Sequence, residues 1–223
     1  MSGILNMIGV GPGDPGLLTL KAYHVLTEKT DVVAYPGSTP YSGTAFQIAS
    51  QAVTRLNEIE QLPLPFPMSR DPDIVSNTHA FAVRQVKGSL DAGKNVSFLT
   101  LGDPSIFSSA AYLLDPIRTA GYEVRIISGV PSFCACAAKL LIPLASGDEP
   151  LQIFPSDDFD LAFPGTLILM KVGEKLSQIK QLISESGRAA LLIENCGLPG
   201  ERLYSSLQEM PEKAGYFSLM IVK

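Results

Sequence analysis

Three stretches of this chain carry residue types that could build a ligand site, and each follows an apolar run. Gly9-Val10-Gly11-Pro12-Gly13-Asp14-Pro15-Gly16 follows the run that starts at Ile4; Thr100-Leu101-Gly102-Asp103-Pro104-Ser105-Ile106-Phe107 and Ile126-Ile127-Ser128-Gly129-Val130-Pro131-Ser132-Phe133 repeat it in kind. A glycine turn between a strand and a helix lets backbone approach a ligand. Ligands of open α/β sheets bind outside the carboxyl ends of strands, so several such turns on one edge would outline a pocket. Any one Gly-Asp-Pro alone reads as a capped turn. The opening turn has the look of the dinucleotide fingerprint G-x-G-x-x-G. However, Asp14 takes the place of the third glycine, and the next apolar run ends at Ala34-Tyr35-Pro36 with no acidic residue, which weakens a nicotinamide reading.

Other chemistries find less support. Cys134, Cys136 and Cys196 form no C-x-x-C pair for zinc or thiol exchange and read as reduced thiols, the first two as small helix-packing residues. His24 and His79 lack the spacing of a metal pair, so no protein-bound metal is expected. With 17 Lys+Arg against 22 Asp+Glu, the net charge of −5 argues against a nucleic-acid surface spread over the whole protein. No basic region leads into an apolar stretch of signal length, and no run is long enough to span a bilayer, so a soluble, cytoplasmic protein is expected.

The elements that must position these turns follow from hydropathy. A chain of 223 residues, 46% of them hydrophobic, can bury a sizeable core in one large α/β domain or two small ones. Apolar runs at Ile4–Val10, Asp31–Tyr35, Val96–Leu101 and Glu123–Ile127 alternate with amphipathic stretches, as parallel strands with crossover helices do. A helix is expected from Asp14 as N-cap with Pro15 in its first turn, another over Asp73–Ala92, and a third over Ile106–Gly121. The proline-rich Leu62–Pro72 reads as an extended surface loop. Later strands at Leu151–Phe154, Thr166–Met170, Ala189–Glu194 and Tyr216–Val222 have one clear long helix among them, Gly173–Ser186, which suggests a mixed sheet. The shift in pattern places a domain boundary near Asp115–Pro116, dividing the chain into 1–115 and 116–223.

Taken together, the motifs G-x-G-P-G-D-x-x-L-L-T from Gly9, L-G-D-P at Leu101, S-G-V-P-S at Ser128, Leu169-Met170, and Glu194-Asn195-Cys196-Gly197 resemble the tetrapyrrole (corrin/porphyrin) methyltransferase family. The resemblance runs from Gly9 to Val222. It implies a class III methyltransferase-like fold of two α/β domains, the N-terminal one with a mostly parallel sheet and the C-terminal one with a mixed sheet. The resemblance further implies S-adenosylmethionine held in the cleft between them, usually in a homodimer. Carried over residue by residue, cofactor contacts fall on Pro12, Leu101, Gly102, Asp103, Ile106, Ser132, Phe133, Met170 and Cys196. The turn residues Gly9, Gly11 and Gly13 are expected nearer the tetrapyrrole, with Lys21 and Arg70 as partners for its carboxylates.

Relatives that methylate uroporphyrinogen carry an aspartate where this chain has Pro36, which can neither take nor give a proton. Within the family the chain looks most like the branch that methylates precorrin-2 at its C20 meso carbon in cobalamin biosynthesis. That chemistry is an in-line displacement at the sulfonium methyl, in which the protein aligns the reactants and excludes water. The candidates for accepting the released proton are Asp103, Tyr35 and Glu194. A uroporphyrinogen methyltransferase, a silent tetrapyrrole carrier and a nicotinamide-dependent oxidoreductase are the competing readings.

Overall fold

The computed structural model describes residues 2–67, 69, 71–155 and 159–223. Contacts divide the chain into two units, Met1–Pro131 and Ser132–Lys223. The first contains, in order, β1 (Leu5–Gly9), α1 (Leu20–Glu28), β2 (Val32–Pro36), α2 (Thr44–Ala52), β3 (Glu60–Leu64), α3 (Pro72–Asp91), β4 (Val96–Thr100), α4 (Ala111–Thr119) and β5 (Val124–Ile127). The strands form one sheet in the order β3-β2-β4-β1-β5, and every pair is parallel.

Every residue of β1 and β4 is buried, as parallel strands covered by helices on both faces require. On one face Leu5, Met7, Val96 and Phe98 pack with Ala82, Val86 and Leu90 of α3 and Leu113 and Ile117 of α4. The alternate residues Ile8, Leu99 and Tyr35 point to the other face, where α1 buries Ala22 and Leu26 and α2 buries Phe46 and Ile48. Because all strands run the same way, Gly9, Pro36, Leu64, Thr100 and Ile127 end at one edge.

The second unit contains α5 (Ser132–Lys139), β6 (Leu151–Phe154), β7 (Thr166–Met170), α6 (Leu176–Ser186), β8 (Ala190–Glu194), β9 (Arg202–Tyr204) and β10 (Ser218–Val222). Its sheet order is β6-β7-β10-β8-β9, with β6 and β7 parallel and the other pairs antiparallel. The mixed sheet expected from the scarcity of helices is present. α6 sets Leu176, Ile179 and Ile183 on one face, against Leu167, Leu169, Leu192, Met220 and Val222. Burial of each such side chain stabilises by about 1.5–3 kcal/mol. Gly187, in the left-handed conformation at φ 71°, ends the helix.

Several expectations are corrected. The unit boundary falls between Pro131 and Ser132, whereas a cut at Asp115–Pro116 would break α4, inside which Pro116 lies. Asp14 caps a short 3₁₀ turn, Pro15–Leu17, and it is Thr19 that caps α1, accepting from the Ala22 N–H at 3.3 Å. Residues Leu62–Leu64 are strand rather than loop: β3 pairs with β2 at the sheet edge, where Pro63 opposite Tyr35 is tolerated because an edge strand has one unpaired side. The helix expected over Ile106–Gly121 begins only at Ala111.

Candidate functional site

The strand-end turns of the first unit are held together by backbone. Gly11 and Gly102 exchange hydrogen bonds, the Gly102 N–H donating to the Gly11 carbonyl at 2.8 Å and the Gly11 N–H to the Gly102 carbonyl at 3.3 Å. The third turn closes on the same point. A Cβ built on Gly129 would lie 2.1 Å from the Gly102 carbonyl oxygen, and one on Gly9 would lie 2.6 Å from the Gly129 nitrogen. Neither position can hold a side chain without moving backbone. Thr19 adds a tie, its hydroxyl donating to the Ser128 carbonyl at 3.2 Å.

Asp103 locks this arrangement. One carboxylate oxygen accepts from the Gly129 N–H at 2.9 Å, and the other accepts from the Ser105 N–H at 2.8 Å and the Ser105 hydroxyl at 2.5 Å. The residue is only 8% exposed. Burial pushes its carboxyl up, but the Ser105 hydroxyl and the N–H groups of Ser105 and Gly129 outweigh that and hold it below the usual aspartate value. It is therefore an ionised clamp between the second and third turns and a weak base.

Tyr35 is fully buried at the end of β2, its ring centroid 4.9 Å from that of Phe46. Its hydroxyl donates to Gln61 Oε1 at 2.6 Å and accepts from the Tyr41 N–H at 2.9 Å. Burial raises its pKa and the Tyr41 N–H opposes this only in part, so the phenol stays protonated and fastens the loop after β2.

In the second unit β7 and β8 both pair antiparallel with β10 and so run in the same direction. Their last residues, Met170 and Glu194, flank Leu219 and Ser218 at one edge of the sheet. Both strands are followed by a residue in left-handed conformation, Lys171 at φ 59° and Asn195 at φ 52°. Their N–H groups donate to the carbonyls of Ser218 and Phe217, each at 2.8 Å. Glu194 is 8% exposed and accepts from the Tyr204 hydroxyl at 3.0 Å and the Gly215 N–H at 2.9 Å.

α5 is tied to the same edge. Cys136 is hydrogen-bonded to Cys196, and that contact together with burial holds the Cys136 thiol well above its ordinary value. Lys139 pairs with Glu201 at 2.9 Å, and Glu201 accepts from the Gly197 N–H at 2.6 Å. Ser132 and Phe133 lie in the first turn of this same helix. Cys134 is exposed, so of the two helix cysteines only Cys136 packs inside.

The cofactor expectations thus divide into two sets. In the first unit, Pro12, Gly102 and Asp103 are buried in the clamped turns and Leu101 and Ile106 are half-buried beside them; in the second, Ser132 and Phe133 begin α5, Met170 ends β7 and Cys196 follows the end of β8. Gly9, Gly11 and Gly13 are buried within the first turn. Lys21 is exposed and lines a groove along α1. Arg70 lies outside the described residues. Arg55 donates to the carbonyls of Leu26 and Thr30, a structural role. No cluster of metal-ligand type occurs among the described residues. Sequence reasoning missed Ser105, Thr19, Tyr204 and Glu201. Ser105, two residues after Asp103, carried the signal of an Asx turn, and Thr19, three residues before Ala22, that of an N-cap; the ties of Thr19 to Ser128, of Glu201 to Lys139 and of Tyr204 to Glu194 join separate segments and carried none.

The architecture, with its strand-end turns, is that of an α/β protein built on one parallel and one mixed sheet. The chain matches the model of the tetrapyrrole (corrin/porphyrin) methylases over residues 5–211, and it belongs to that family. It is 32% identical over 235 residues to the cobalt-precorrin-2 C(20)-methyltransferase of Salmonella typhimurium, an alignment covering 100% of this chain and 97% of that one. To the precorrin-2 C(20)-methyltransferase of Sinorhizobium sp it is 28% identical over 243 residues, covering 100% of this chain and 97% of the other. Its fold is also that of uroporphyrin-III C-methyltransferase from Thermus thermophilus, solved in complex with S-adenyl homocysteine, with a TM-score of 0.69 at 22% identity over 99% of this chain and 97% of that one. Family membership disfavours the nicotinamide-dependent reading of the opening turn.

Proposed function

We propose that this chain transfers a methyl group from S-adenosylmethionine to the C20 meso carbon of precorrin-2 or its cobalt form, a step of cobalamin biosynthesis. The observation that carries the reading is the full-length similarity to two relatives named for this regiochemistry. Pro36 at the end of β2 supports it against methylation of uroporphyrinogen, because no carboxylate stands at that strand end.

The residues present fit the methyl donor. In the first unit Leu101 and Ile106, on the segment after β4, are half-buried apolar side chains suited to a nucleoside or a thioether; in the second, taken by itself, Met170 is half-buried at the end of β7 and Ser132 offers a hydroxyl at the start of α5. S-adenosylmethionine supplies the electrophilic methyl group and the macrocycle supplies the carbon nucleophile, so no protein nucleophile is needed. This chain's residues hold the reactants in line and keep water from them. Asp103, Tyr35 and Glu194 enter as positioning groups rather than bases, since the oxygens of each are already engaged in hydrogen bonds. Gly9, Gly11, Gly13, Lys21 and Arg70 are assigned to the tetrapyrrole. A homodimer in the cytoplasm, without nucleic acid, completes the reading.

Parallel calorimetric titrations with S-adenosylhomocysteine and with NADH test it. Saturable binding of the former alone is expected. Binding of NADH without response to S-adenosylhomocysteine would remove the proposal.

A further inference from the structure

Asn6 is a polar side chain of the first unit that neither the clamped turns nor the apolar core uses. It lies on β1 in register with Ser97 of β4 and is only 3% exposed. Its amide opens on a groove of about 700 Å³, lined by Asn6, Lys21, His24, Val25, Glu28, Lys29, Arg125, Ile126 and Ile127. That volume suits a small-molecule site.

Topology explains the groove. Asn6 is in register with Arg125 on β5, so the two side chains leave the same face of the sheet. Lys21, His24, Val25 and Glu28 recur at three- and four-residue spacing along α1 and form one helical stripe. α1 is seated by Ala22 and Leu26, and the adjacent stripe overlooks β5, which is an edge strand.

The charges facing the groove are unequal. Lys21, Lys29 and Arg125 stand against Glu28 in the lining, and Glu123, two residues along β5's approach, pairs with Arg125 at 2.6 Å. Lys21 and Lys29 have no ion-pair partner among the described residues. Val25 and Ile127 supply an apolar wall.

We propose that this groove binds an organic carboxylate, its anionic groups held by Lys21, Lys29 and Arg125 and a further polar atom met by the Asn6 amide. The carboxylate comes either from a small free acid or from the fringe of a macrocyclic polycarboxylate. A carboxylate accepts from ammonium and guanidinium donors at once, and the carbon skeleton covers the apolar wall.

The test uses the full ¹⁵N-labelled chain, with citrate as the small acid and uroporphyrin III as the macrocycle. Saturable movement of the Asn6 side-chain NH₂ signals is expected. Lys29→Gln and Arg125→Gln should each weaken that binding by about tenfold, the scale of a lost charge-assisted contact, while S-adenosylhomocysteine affinity stays unchanged. Movement with citrate alone assigns the groove to a free acid. Movement with uroporphyrin III, displacing citrate, assigns it to the macrocycle; both uphold the proposal. It is overturned if Asn6 stays still with both probes, if the variants bind as the parent does, or if Asn6 responds only to raised protein concentration, which would give the groove to a second copy of the chain.

Discussion

At Asp103 two opposing effects act on one carboxyl. Burial favours the neutral acid, while three donors, the Ser105 hydroxyl and the N–H groups of Ser105 and Gly129, favour the anion and prevail. The folded-state pKa therefore lies below the unfolded value of about 3.9. The sign follows from linkage: the stabilisation is fully present above about pH 4 and is lost as pH falls through the folded value, because the unfolded chain binds the proton first. Asp103→Asn removes this contribution. The variant should lose about 1–3 kcal/mol in urea denaturation at pH 7. Its stability should also decline less steeply than the parent's as the pH is taken below about 4. Equal pH dependence in the two proteins would show that the carboxylate does not hold the turns together.

Elements in this protein are joined at their ends, and that is where substitution should be felt. Gly129→Ala would place a methyl group against the Gly102 carbonyl. Overpacking against backbone costs about 1–3 kcal/mol or more. The expected outcome is a lowered urea midpoint together with weakened S-adenosylhomocysteine binding, measured on the same preparation. In the second unit, Arg188 donates to the carbonyls of Phe163 at 3.0 Å, Leu161 at 3.3 Å, Gly165, and Val222 at 3.4 Å, joining the segment before β7 to the end of β10. Arg188→Met should cost roughly 3 kcal/mol, since truncation strands carbonyls that were met by one planar fork. Arg188→Lys should restore little of it, as an ammonium cannot span the set.

The same element ends mark what sequence could and could not tell. Buried parallel strands such as β1 and β4 announce themselves as continuous apolar runs, and the glycine turns after them stand out by composition. β3 was hidden because Pro63 and Pro65 suggest a loop until the strand's place at the sheet edge is known. α2 is short, and its N-cap, Gly43, makes no side-chain hydrogen bond. The turns were legible as separate features. Their closure through Gly9, Gly102 and Gly129, and the Asp103 bond that spans from one turn to the next, depend on approach between distant segments, which no local spacing encodes.

At the scale of the whole molecule, a parallel and a mixed sheet each present strand ends that carry the family's motif residues, on a chain that aligns from end to end with C20-methylating relatives. Supply of substrate and donor to the intact protein tests this account most directly. Reduced precorrin-2, and separately its cobalt form, would be incubated with S-adenosylmethionine bearing a ¹³C-methyl group, and the extracted macrocycle examined by NMR. The account predicts one new labelled methyl, bonded to the C20 meso carbon, from at least one of the two substrates. A macrocycle recovered without label, or labelled at a different carbon, would contradict it.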